Sequence, residues 1–290
     1  MAKTSKLSFT KFHGLGNDFI VTNTCNLGGN LSALARSICE RHTGIGADGL
    51  LIVLKPRSTT NHARVRFFNA DGSEAEMSGN GIRCAGAFLM RENLRRKNLR
   101  VETASGVRIL EPLSAPAQAK QRKWNFRVNM GRPTLDPEKI PFAAGKIPGP
   151  VVGYPIRTAH GVFAATITSM GNPHCSVFVA DFSRIPWEAV GKEIESSPLF
   201  PNRTNVEFVH VVSKKEIKVR YWERGVGRTM SSGTGSCGAV VACILNGFTG
   251  RAVKVRTLAG TLDVSWPENR EVLLAGPAEL ISDGTYFPPL

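Results

Sequence analysis

Two glycine-rich turns, each opened by a serine, carry the residues of this chain that are best placed to do chemistry. They read Ser78-Gly79-Asn80-Gly81 and Ser232-Gly233-Thr234-Gly235, and each leads into an apolar segment of helical character. The N-terminus of a helix presents unpaired backbone N–H groups, which together with the helix dipole bind carboxylate or phosphate. Glycines in such a turn let a ligand approach the backbone closely. The two turns therefore predict a pair of anion-binding helix ends.

The two turns are part of an internal duplication. The serines lie 154 positions apart (232 − 78). A period of this length is too long for a solenoid and indicates two related domains of ordinary size. Both helix ends could then point at one ligand in the cleft between the domains. Further landmarks keep nearly the same offset: Gly16-Asn17 recurs as Gly171-Asn172, and Val101, Thr103 and Gly106 recur as Val255, Thr257 and Gly260.

Such symmetry suits the inversion of a stereocentre next to a carboxylate, which needs a base on one face of the carbon and an acid on the other. The helix ends would stabilise the negative charge that develops on the carboxylate. Neither turn is followed by a phosphate-loop lysine, and no histidine or carboxylate pair has metal-ligand spacing on a helix. His174 and Glu223 lie near turn-like segments, and each, taken alone, is more typical of a structural or surface residue.

Composition narrows the class of protein. The 290 residues, 42% of them hydrophobic, suffice for one large or two medium domains. No apolar run reaches the roughly 18 residues of a membrane span, the N-terminus is not a signal peptide, and the cysteines form no Cys-x-x-Cys pair. These features predict a cytoplasmic protein. The charge of +14 is spread without an aromatic-interleaved basic motif, so we expect a small-molecule ligand and no nucleic-acid or membrane partner.

Strand-like segments outnumber helical ones, and their hairpin spacing predicts largely antiparallel sheets. Helical character is found at 31–41, 81–92, 187–195 and 236–245. The last of these is apolar almost all round, so we expect it to be buried and wrapped by strands. Prolines concentrated between Pro133 and Pro155 predict an inter-domain stretch. The predicted strands are 7–12, 19–24, 50–54, 63–68, 99–103, 107–110, 125–130, 163–168, 175–179, 205–212, 216–222, 252–257, 262–266 and 271–274.

Five further motifs, in order along the chain, resemble the diaminopimelate epimerase family. The matches extend from residue 9 to the C-terminus, and their combination is highly specific. The motifs are His13-Gly14-Leu15-Gly16-Asn17-Asp18-Phe19, Gly44-Ile45-Gly46-Ala47-Asp48-Gly49, Phe68-Asn69-Ala70-Asp71-Gly72-Ser73, Met170-Gly171-Asn172-Pro173-His174 and Glu223-Arg224-Gly225-Val226-Gly227.

The resemblance implies an α+β fold of two pseudo-symmetric domains, each a mostly antiparallel barrel-like sheet around a central helix. The last strand would return to the first domain, which gives an N-terminal domain of residues 1–130 with 276–290 and a C-terminal domain of 131–275. The implied activity is a cofactor-independent, metal-free isomerase that interconverts LL- and meso-2,6-diaminoheptanedioate for lysine and peptidoglycan precursor synthesis. The family also implies a homodimer.

The resemblance further assigns roles to individual residues. Ser78 and Ser232 occupy the two catalytic positions, and His174 and Glu223 would tune the acid and the base. Arg224 suits a substrate carboxylate because its planar fork can bind both oxygens. Backbone groups of Gly79, Asn80, Gly233 and Thr234 would hold the reacting carboxylate. The side chains implied to contact substrate are Asn17, Asn69, Asn172, Asn205, Glu223 and Arg224.

The chain departs from the family pattern at the catalytic pair. The family places a cysteine at each of the positions held here by Ser78 and Ser232. A helix N-terminus can lower a thiol pKa from about 8.5 into a useful range, whereas a serine hydroxyl is a far weaker acid that needs an adjacent base. Cys84 and Cys237 lie six and five residues further along the chain (84 − 78 and 237 − 232), inside the helices, so we do not expect them to substitute.

Three interpretations remain open at this point. The first is a diaminopimelate epimerase that carries serines at both positions, either as a natural variant or by replacement. The second is a racemase or dehydratase of another amino acid, since related cofactor-free families change chemistry when the cysteine pair is altered. The third is a non-catalytic amino-acid-binding homologue. Solvent deuterium incorporation into candidate amino acids separates an enzyme from a binding protein.

Overall fold

The computed structural model describes residues 6–23, 30–94, 96–113, 121–145, 147–268 and 270–288. Thr24, at the end of one predicted strand, and the last two residues of the predicted 276–290 segment lie outside this part of the chain. Contacts divide the chain into two compact units, Met1–Val128 with Gly276–Leu290, and Asn129–Ala275. That these units are separate domains with a boundary after residue 130 stays a prediction.

The described residues form strands and four α-helices in an order that repeats. The helices are α1 (Leu31–Cys39), α2 (Gly79–Arg91), α3 (Trp187–Glu195) and α4 (Gly233–Leu245). The strands are β1 (Leu7–Gly14), β2 (Asn17–Thr22), β3 (Gly49–Leu54), β4 (Ala63–Asn69), β5 (Glu74–Ala75), β6 (Leu99–Thr103), β7 (Gly106–Pro112), β8 (Lys123–Gly131), β9 (Tyr154–Thr158), β10 (Gly161–Ser169), β11 (Pro173–Phe178), β12 (Asn205–Ser213), β13 (Glu216–Glu223), β14 (Gly227–Thr229), β15 (Ala252–Arg256), β16 (Thr261–Ser265) and β17 (Val272–Tyr286).

The first unit is a closed barrel around α2. Its strands pair in the cycle β1–β2–β3–β4–β6–β7–β8–β17, and β17 returns to β1. All pairings with a known register are antiparallel except β2–β3 and β4–β6. Every residue of α2 from Gly79 to Met90 is buried. The expected barrel-like sheet around a central helix is thus confirmed.

The second unit repeats this pattern around α4. Its strands follow the order β9–β10–β11–β12–β13–β15–β16–β17, with parallel pairs at β11–β12 and β13–β15, the counterparts of the two parallel pairs in the first unit. The start of α4 lies 154 residues after the start of α2 (233 − 79). Residues 235–243 of α4 are buried, as the all-round apolar pattern predicted. The α+β fold is therefore a duplicated one.

The proline-rich stretch is not a linker, and that prediction was wrong. Ile140, Phe142, Val151 and Ile156 are buried in the hydrophobic core of the second unit. Pro155 lies within β9, where it is aligned with Ala164 of β10.

The C-terminal strand also differs from expectation, since β17 continues far beyond the predicted 271–274. Its first part, up to Ala275, pairs with β16, and Glu279–Tyr286 pair with His13–Leu7 of β1. One strand therefore serves both units. The sequence Gly276-Pro277 has the composition of a turn, which is why the pattern ended the strand there.

The closure of the first barrel predicts a tight site on β17. Gly284 lies opposite Phe9, and a Cβ atom at Gly284 would come within 2.7 Å of the Phe9 ring. We expect Gly284→Val to lower the free energy of unfolding by about 1–3 kcal/mol because the ring must leave its position. Urea denaturation measures this change.

The matched control for that substitution is Ser282→Val, on an exposed position of the same strand. It should change stability by no more than about 0.5 kcal/mol. Equal effects of the two substitutions would contradict the packing of β17 against β1 at Gly284.

Candidate active site

Ser78 and Ser232 cap the two central helices in the same way. Their backbone angles are φ −130° and ψ 128° for Ser78 and φ −130° and ψ 129° for Ser232. Each Oγ accepts a hydrogen bond from the N–H three residues further on, at 3.1 Å from Gly81 and 3.2 Å from Gly235. A capping side chain satisfies one donor of the first turn. Both helices consequently begin at the residue after the serine, two and three residues before the predicted starts.

The glycines after each serine are required by packing. A Cβ atom at Gly81 would lie 3.2 Å from the Phe67 ring. In α4, a Cβ atom at Gly235 would lie 2.9 Å from Glu207 Oε1, and one at Gly238 would lie 3.0 Å from the His174 side chain. Glycine thus lets two polar side chains of the second barrel pack directly against its central helix.

In the first unit, an amide chain leads away from the start of α2. The Asn80 Nδ2 atom donates to Asn17 Oδ1 at 3.3 Å, and Asn17 Nδ2 donates to Asp48 Oδ2 at 2.8 Å. The fully buried Arg83 donates to Asn80 Oδ1 at 2.7 Å and to Gly79 O at 2.8 Å. The structure therefore joins two of the residues implied to contact substrate, Asn17 and Asn80, at one helix end.

Asp18 and Asp48 support this amide chain. The Asp18 and Asp48 backbone N–H groups donate to each other's carboxylates, at 3.0 and 2.9 Å. Lys11 and Arg41 form ion pairs with Asp18 at 2.9 and 3.1 Å. Burial alone would raise the pKa of Asp18, but hydrogen bonds and charge from Lys11 and Arg41 lower it overall. Asp48 is thereby fixed as the acceptor for Asn17.

Asn69 is placed differently, in an exposed turn at the end of β4. Its Nδ2 atom donates to Ser73 Oγ at 2.9 Å, and its carbonyl accepts from the Gly72 N–H at 2.9 Å. Within the described hydrogen bonds of this unit, Asn69 is not joined to Asn17 or Asn80. The N–H of the next residue, Ala70, donates to Asp48 O at 3.2 Å, so the turn lies beside the residue that accepts from Asn17.

In the second unit, Glu223 lies beside the capping serine. Ser232 Oγ donates to Glu223 Oε2 at 3.2 Å, and Thr229 Oγ1 donates to Oε1 at 2.6 Å. Burial raises the pKa of Glu223, while these two hydrogen bonds oppose the shift. Ser232 is 3% exposed. The serine hydroxyl therefore has a carboxyl group as its immediate hydrogen-bond partner.

His174 is fully buried and held at both ring nitrogens. Nδ1 lies 2.7 Å from Glu207 Oε1, and Nε2 lies 3.0 Å from Asn172 Oδ1. Ser176 Oγ lies 3.5 Å from Glu207 Oε2. Burial raises the pKa of Glu207, which the charge and hydrogen bond of His174 oppose. His174 and Glu207 form a carboxyl–imidazole pair out of contact with solvent.

Glu207 was missed by the sequence analysis. It lies two residues after Asn205 on β12, and so on the same face of that strand. The parallel register of β11 with β12 places His174 opposite Asn205 and Ser176 opposite Glu207. The signal in the sequence was the i, i+2 spacing of Asn205 and Glu207, which places both on one face of a strand. Connecting that face with His174 required knowledge that β11 and β12 are paired, which the sequence does not provide.

Asn205 and Arg224 connect the ends of three strands. Asn205 is 4% exposed, its Nδ2 atom donates to Pro173 O at 2.9 Å, and its Oδ1 accepts from the Arg224 backbone N–H at 3.1 Å. The Arg224 side chain is exposed and donates to Asn202 O at 3.2 Å. These two hydrogen bonds fix the orientation of the Asn205 amide, while the Arg224 guanidinium retains further donors.

Cys84 and Cys237 lie one turn or more inside the two helices and are fully buried. Burial raises the pKa of the Cys84 thiol to about 12, so it is not a thiolate at neutral pH. Within the described ranges, no group of three or more histidine, cysteine or acidic side chains could hold a metal ion. The part of the chain that the structure describes also contains no helix long and apolar enough to cross a membrane.

Comparison with solved structures defines the class of fold. A hydroxyproline epimerase from Agrobacterium vitis superimposes with a TM-score of 0.72 at 13% identity, covering 100% of this chain and 95% of that one. A phenazine biosynthesis protein of the PhzF family from Bacillus anthracis gives 0.68 at 14% identity, covering 97% and 99%. The fold is therefore that of these epimerase-like proteins.

Sequence comparison identifies the family within that class. Residues 9–135 and 166–281 match the family described as diaminopimelate epimerase. The diaminopimelate epimerase of Pelotomaculum thermopropionicum is 46% identical over 284 residues, covering 97% of this chain and 99% of the relative. That of Halothermothrix orenii is 45% identical over 281 residues, covering 96% and 97%. The chain belongs to the diaminopimelate epimerase family.

The raised pKa of Glu223 predicts a pH-dependent effect on stability. The pKa of Glu223 in the folded protein lies above the unfolded value near 4.5. Between these two pKa values the folded protein binds more protons than the unfolded one, so the free energy of unfolding falls as pH rises through this range. Glu223→Gln removes this loss. We expect the free energy of unfolding of the variant, relative to the original chain, to improve as pH rises above about 4.5.

Urea denaturation at a series of pH values measures that difference. Glu268→Gln, at an acid whose side chain is 78% exposed, provides the control and should show a nearly constant difference. A difference for Glu223→Gln that stays constant, or that worsens as pH rises, would contradict the account of Glu223.

The Glu207–His174 pair predicts a second effect. Glu207→Leu leaves His174 Nδ1 without its partner in a buried site, and we expect a loss of about 1–3 kcal/mol in unfolding free energy. Glu207→Gln retains a hydrogen-bonding group of similar size and should lose less. Equal losses for Leu and Gln, measured by urea denaturation at pH 7, would show that volume and not hydrogen bonding decides the effect.

Proposed function

We propose that this protein interconverts LL- and meso-2,6-diaminoheptanedioate by proton transfer at one α-carbon, a step in lysine and peptidoglycan precursor synthesis. The near-full-length similarity to proteins named diaminopimelate epimerase supports this substrate. The observation that carries the chemistry is the duplicated cap, in which Ser78 and Ser232 have the same backbone angles at the start of two buried helices.

In the proposed reaction, one capping residue removes the α-proton and the other delivers a proton to the opposite face. The α-proton is only weakly acidic, so the negative charge that develops must be stabilised. Backbone N–H groups of Gly79, Asn80, Gly233 and Thr234 are proposed to hold the reacting carboxylate, since first-turn N–H groups and the helix dipole favour an anion. This assignment requires Ser78 and Ser232 to act on the same substrate molecule.

The second amino-acid end of the substrate needs polar groups of its own. We assign this recognition to the remaining side chains implied by the family. Arg224 is exposed and retains guanidinium donors for a carboxylate. The Asn17 and Asn80 amides are oriented by Asp48 and Arg83, which supports a binding role for them. The set proposed for this end is Asn69, Asn172, Asn205 and Arg224, and Asn17 and Glu223 are proposed to contact the substrate as well.

The catalytic serines should make the proposed reaction slow. Proton abstraction is efficient when the base has a pKa near the working pH, and a hydroxyl lies far above that range. Glu223 can accept the proton of Ser232 through their 3.2 Å hydrogen bond, so that side retains some activation. In its own unit, the described hydrogen bond of Ser78 is the one it accepts from the Gly81 N–H. Activity is therefore reduced and not abolished.

The proposal extends to the state of the protein in the cell. We propose a cytoplasmic homodimer that needs neither pyridoxal phosphate nor a metal ion and has no nucleic-acid partner. The family membership supports the homodimer. The proposed mechanism supports the absence of a cofactor, because two acid–base groups and two helix ends supply the proton transfers and the charge stabilisation.

The Ser78→Cys/Ser232→Cys double variant tests the proposed function. We expect it to epimerise diaminopimelate at least about 100-fold faster than the chain as given, because a thiol at a helix N-terminus reaches a useful pKa. Each single variant should recover little, since inversion needs an acid and a base together. Epimerisation and solvent deuterium incorporation at the α-carbon are measured for all four proteins.

Substrate binding to the chain as given is measured alongside by calorimetry, with diaminopimelate stereoisomers and with alanine. Ser282→Cys, on an exposed position of β17, controls for adding a thiol elsewhere. A serine form that is already fast, or a double variant that is no faster, would contradict the assigned chemistry. Equal binding of alanine and diaminopimelate would contradict the assigned substrate.

A further inference from the structure

The wall of the first barrel contains a cavity of about 160 Å³ that the proposed function does not use. Its lining includes Arg57, Arg64, Arg66, Glu74, Glu102 and Ala104, all within the first unit. The volume is well above the about 30 Å³ that one water molecule takes up in the liquid. The cavity can therefore hold a small polyatomic ligand.

The cavity arises where β4 changes partners. Ala63 and Arg64 pair with β6, whereas Phe67 and Phe68 pair with β5, so Val65 and Arg66 lie between the two neighbours. The cavity is lined from this gap. The opening is thus a consequence of the sheet topology and not of a loose surface loop.

The second barrel has the same change of partners but closes the gap. There β13 pairs with β15 up to Lys218 and with β14 from Tyr221, and the Leu258 N–H donates to Met230 O at 3.2 Å across the opening. The equivalent residues, 154 positions earlier, are Ala104 and Glu76, and the described backbone hydrogen bonds do not join them. Among the described hydrogen bonds, the first unit therefore lacks the one that joins these positions in the second unit.

The two acids of the cavity already have partners. Glu74 binds Arg66 through both carboxylate oxygens, at 2.7 and 2.8 Å. Glu102 accepts from the backbone N–H groups of Arg57 and Ser58, and from the side chain of Asn61. These hydrogen bonds lower the pKa of Glu102 to about 2, so it is a carboxylate at neutral pH.

Arg64 is the group without a matching acceptor. Its Nε atom is buried and has no hydrogen-bond partner among the described residues, although Arg64 lies opposite Glu102 in the strand register. A buried donor without an acceptor is unfavourable, and a guanidinium is shaped to bind two oxygens of one oxyanion. With three arginines and two carboxylates, the lining carries a net charge of +1 (3 − 2).

We propose that this cavity binds a small oxyanion, a phosphate or carboxylate group, with Arg64 as the principal ligand and Arg57 and Arg66 beside it. The site is distinct from the helix ends at which the proposed substrate is held. Binding to the folded state alone would raise the stability of the protein with ligand concentration.

Titration with inorganic phosphate, and separately with acetate, tests the proposal at constant ionic strength maintained with chloride. The arginine Nε–Hε signals are followed by ¹⁵N NMR, and the Arg64 signal is assigned by its loss in Arg64→Lys. We expect the Arg64 signal to shift in a saturable manner. The stronger of the two ligands shows whether the site takes a phosphate or a carboxylate.

Thermal denaturation of variants gives the second readout. The dependence of Tm on anion concentration gives an apparent affinity, which Arg64→Gln should lower by at least about tenfold because a charged hydrogen-bond donor is lost. Arg64→Lys keeps the positive charge but loses the planar guanidinium, and should lower the apparent affinity less. Lys218→Gln, the equivalent position on the closed wall of the second unit, should leave the rise unchanged.

Four outcomes would overturn the proposal. One is an Arg64 signal that does not move with either anion. Another is an equal Tm rise in Arg64→Gln, which would place the anion elsewhere, including at the helix ends. A rise in Tm that chloride reproduces would show general screening. An equal loss of apparent anion affinity in Lys218→Gln would show that the effect is not specific to the Arg64 position. None of these outcomes bears on the epimerase assays, so the two proposals fail separately.

Discussion

Each barrel of this structure encloses a helix, and the rest of the molecule depends on satisfying the N-terminus of that helix. The first N–H groups of a helix have no partner within the helix, so the protein must supply acceptors where strands enclose them. Ser78 and Ser232 do this with the same backbone angles and nearly the same hydrogen-bond length. In each unit the first-turn donors that remain lie together at the start of the helix, an arrangement that favours an anion. The residues that cap the two enclosed helices are therefore the same residues that form the candidate site.

Enclosing the helix also fixes which residues can follow the serine. Phe67 of the first barrel and Glu207 of the second pack against the first turns of α2 and α4, and only glycine leaves room for them. The Ser-Gly-x-Gly pattern thus records both a polar requirement, the cap, and a steric one, the close approach of a strand side chain. This is why the pattern was informative at the level of sequence although each glycine turn alone is common.

The elements predicted well are those set by local pattern. The segments 187–195 and 99–103 were predicted with the bounds of α3 and β6, and the buried α4 followed from its lack of a polar face. The features missed depend on distant partners. Pro155 and Gly276-Pro277 have the composition of turns, yet they lie in strands because β10, β16 and β1 provide neighbours for β9 and β17. The same holds for Glu207, whose role depends on the parallel pairing of β11 with β12.

The helix ends at Ser78 and Ser232 have the same backbone conformation but differ in the charged side chains around them. At the start of α2, the buried Arg83 binds Gly79 O and Asn80, and its positive charge favours a negative charge nearby. At the start of α4 lie Glu223 and Glu207, whose raised pKa values mean that burial favours their protonated forms. In the proposed reaction, one group must have lost its proton while the other still holds one. The duplicated backbone places a capped helix end in each unit, and the unequal side chains around the two ends provide the asymmetry that the proposal requires.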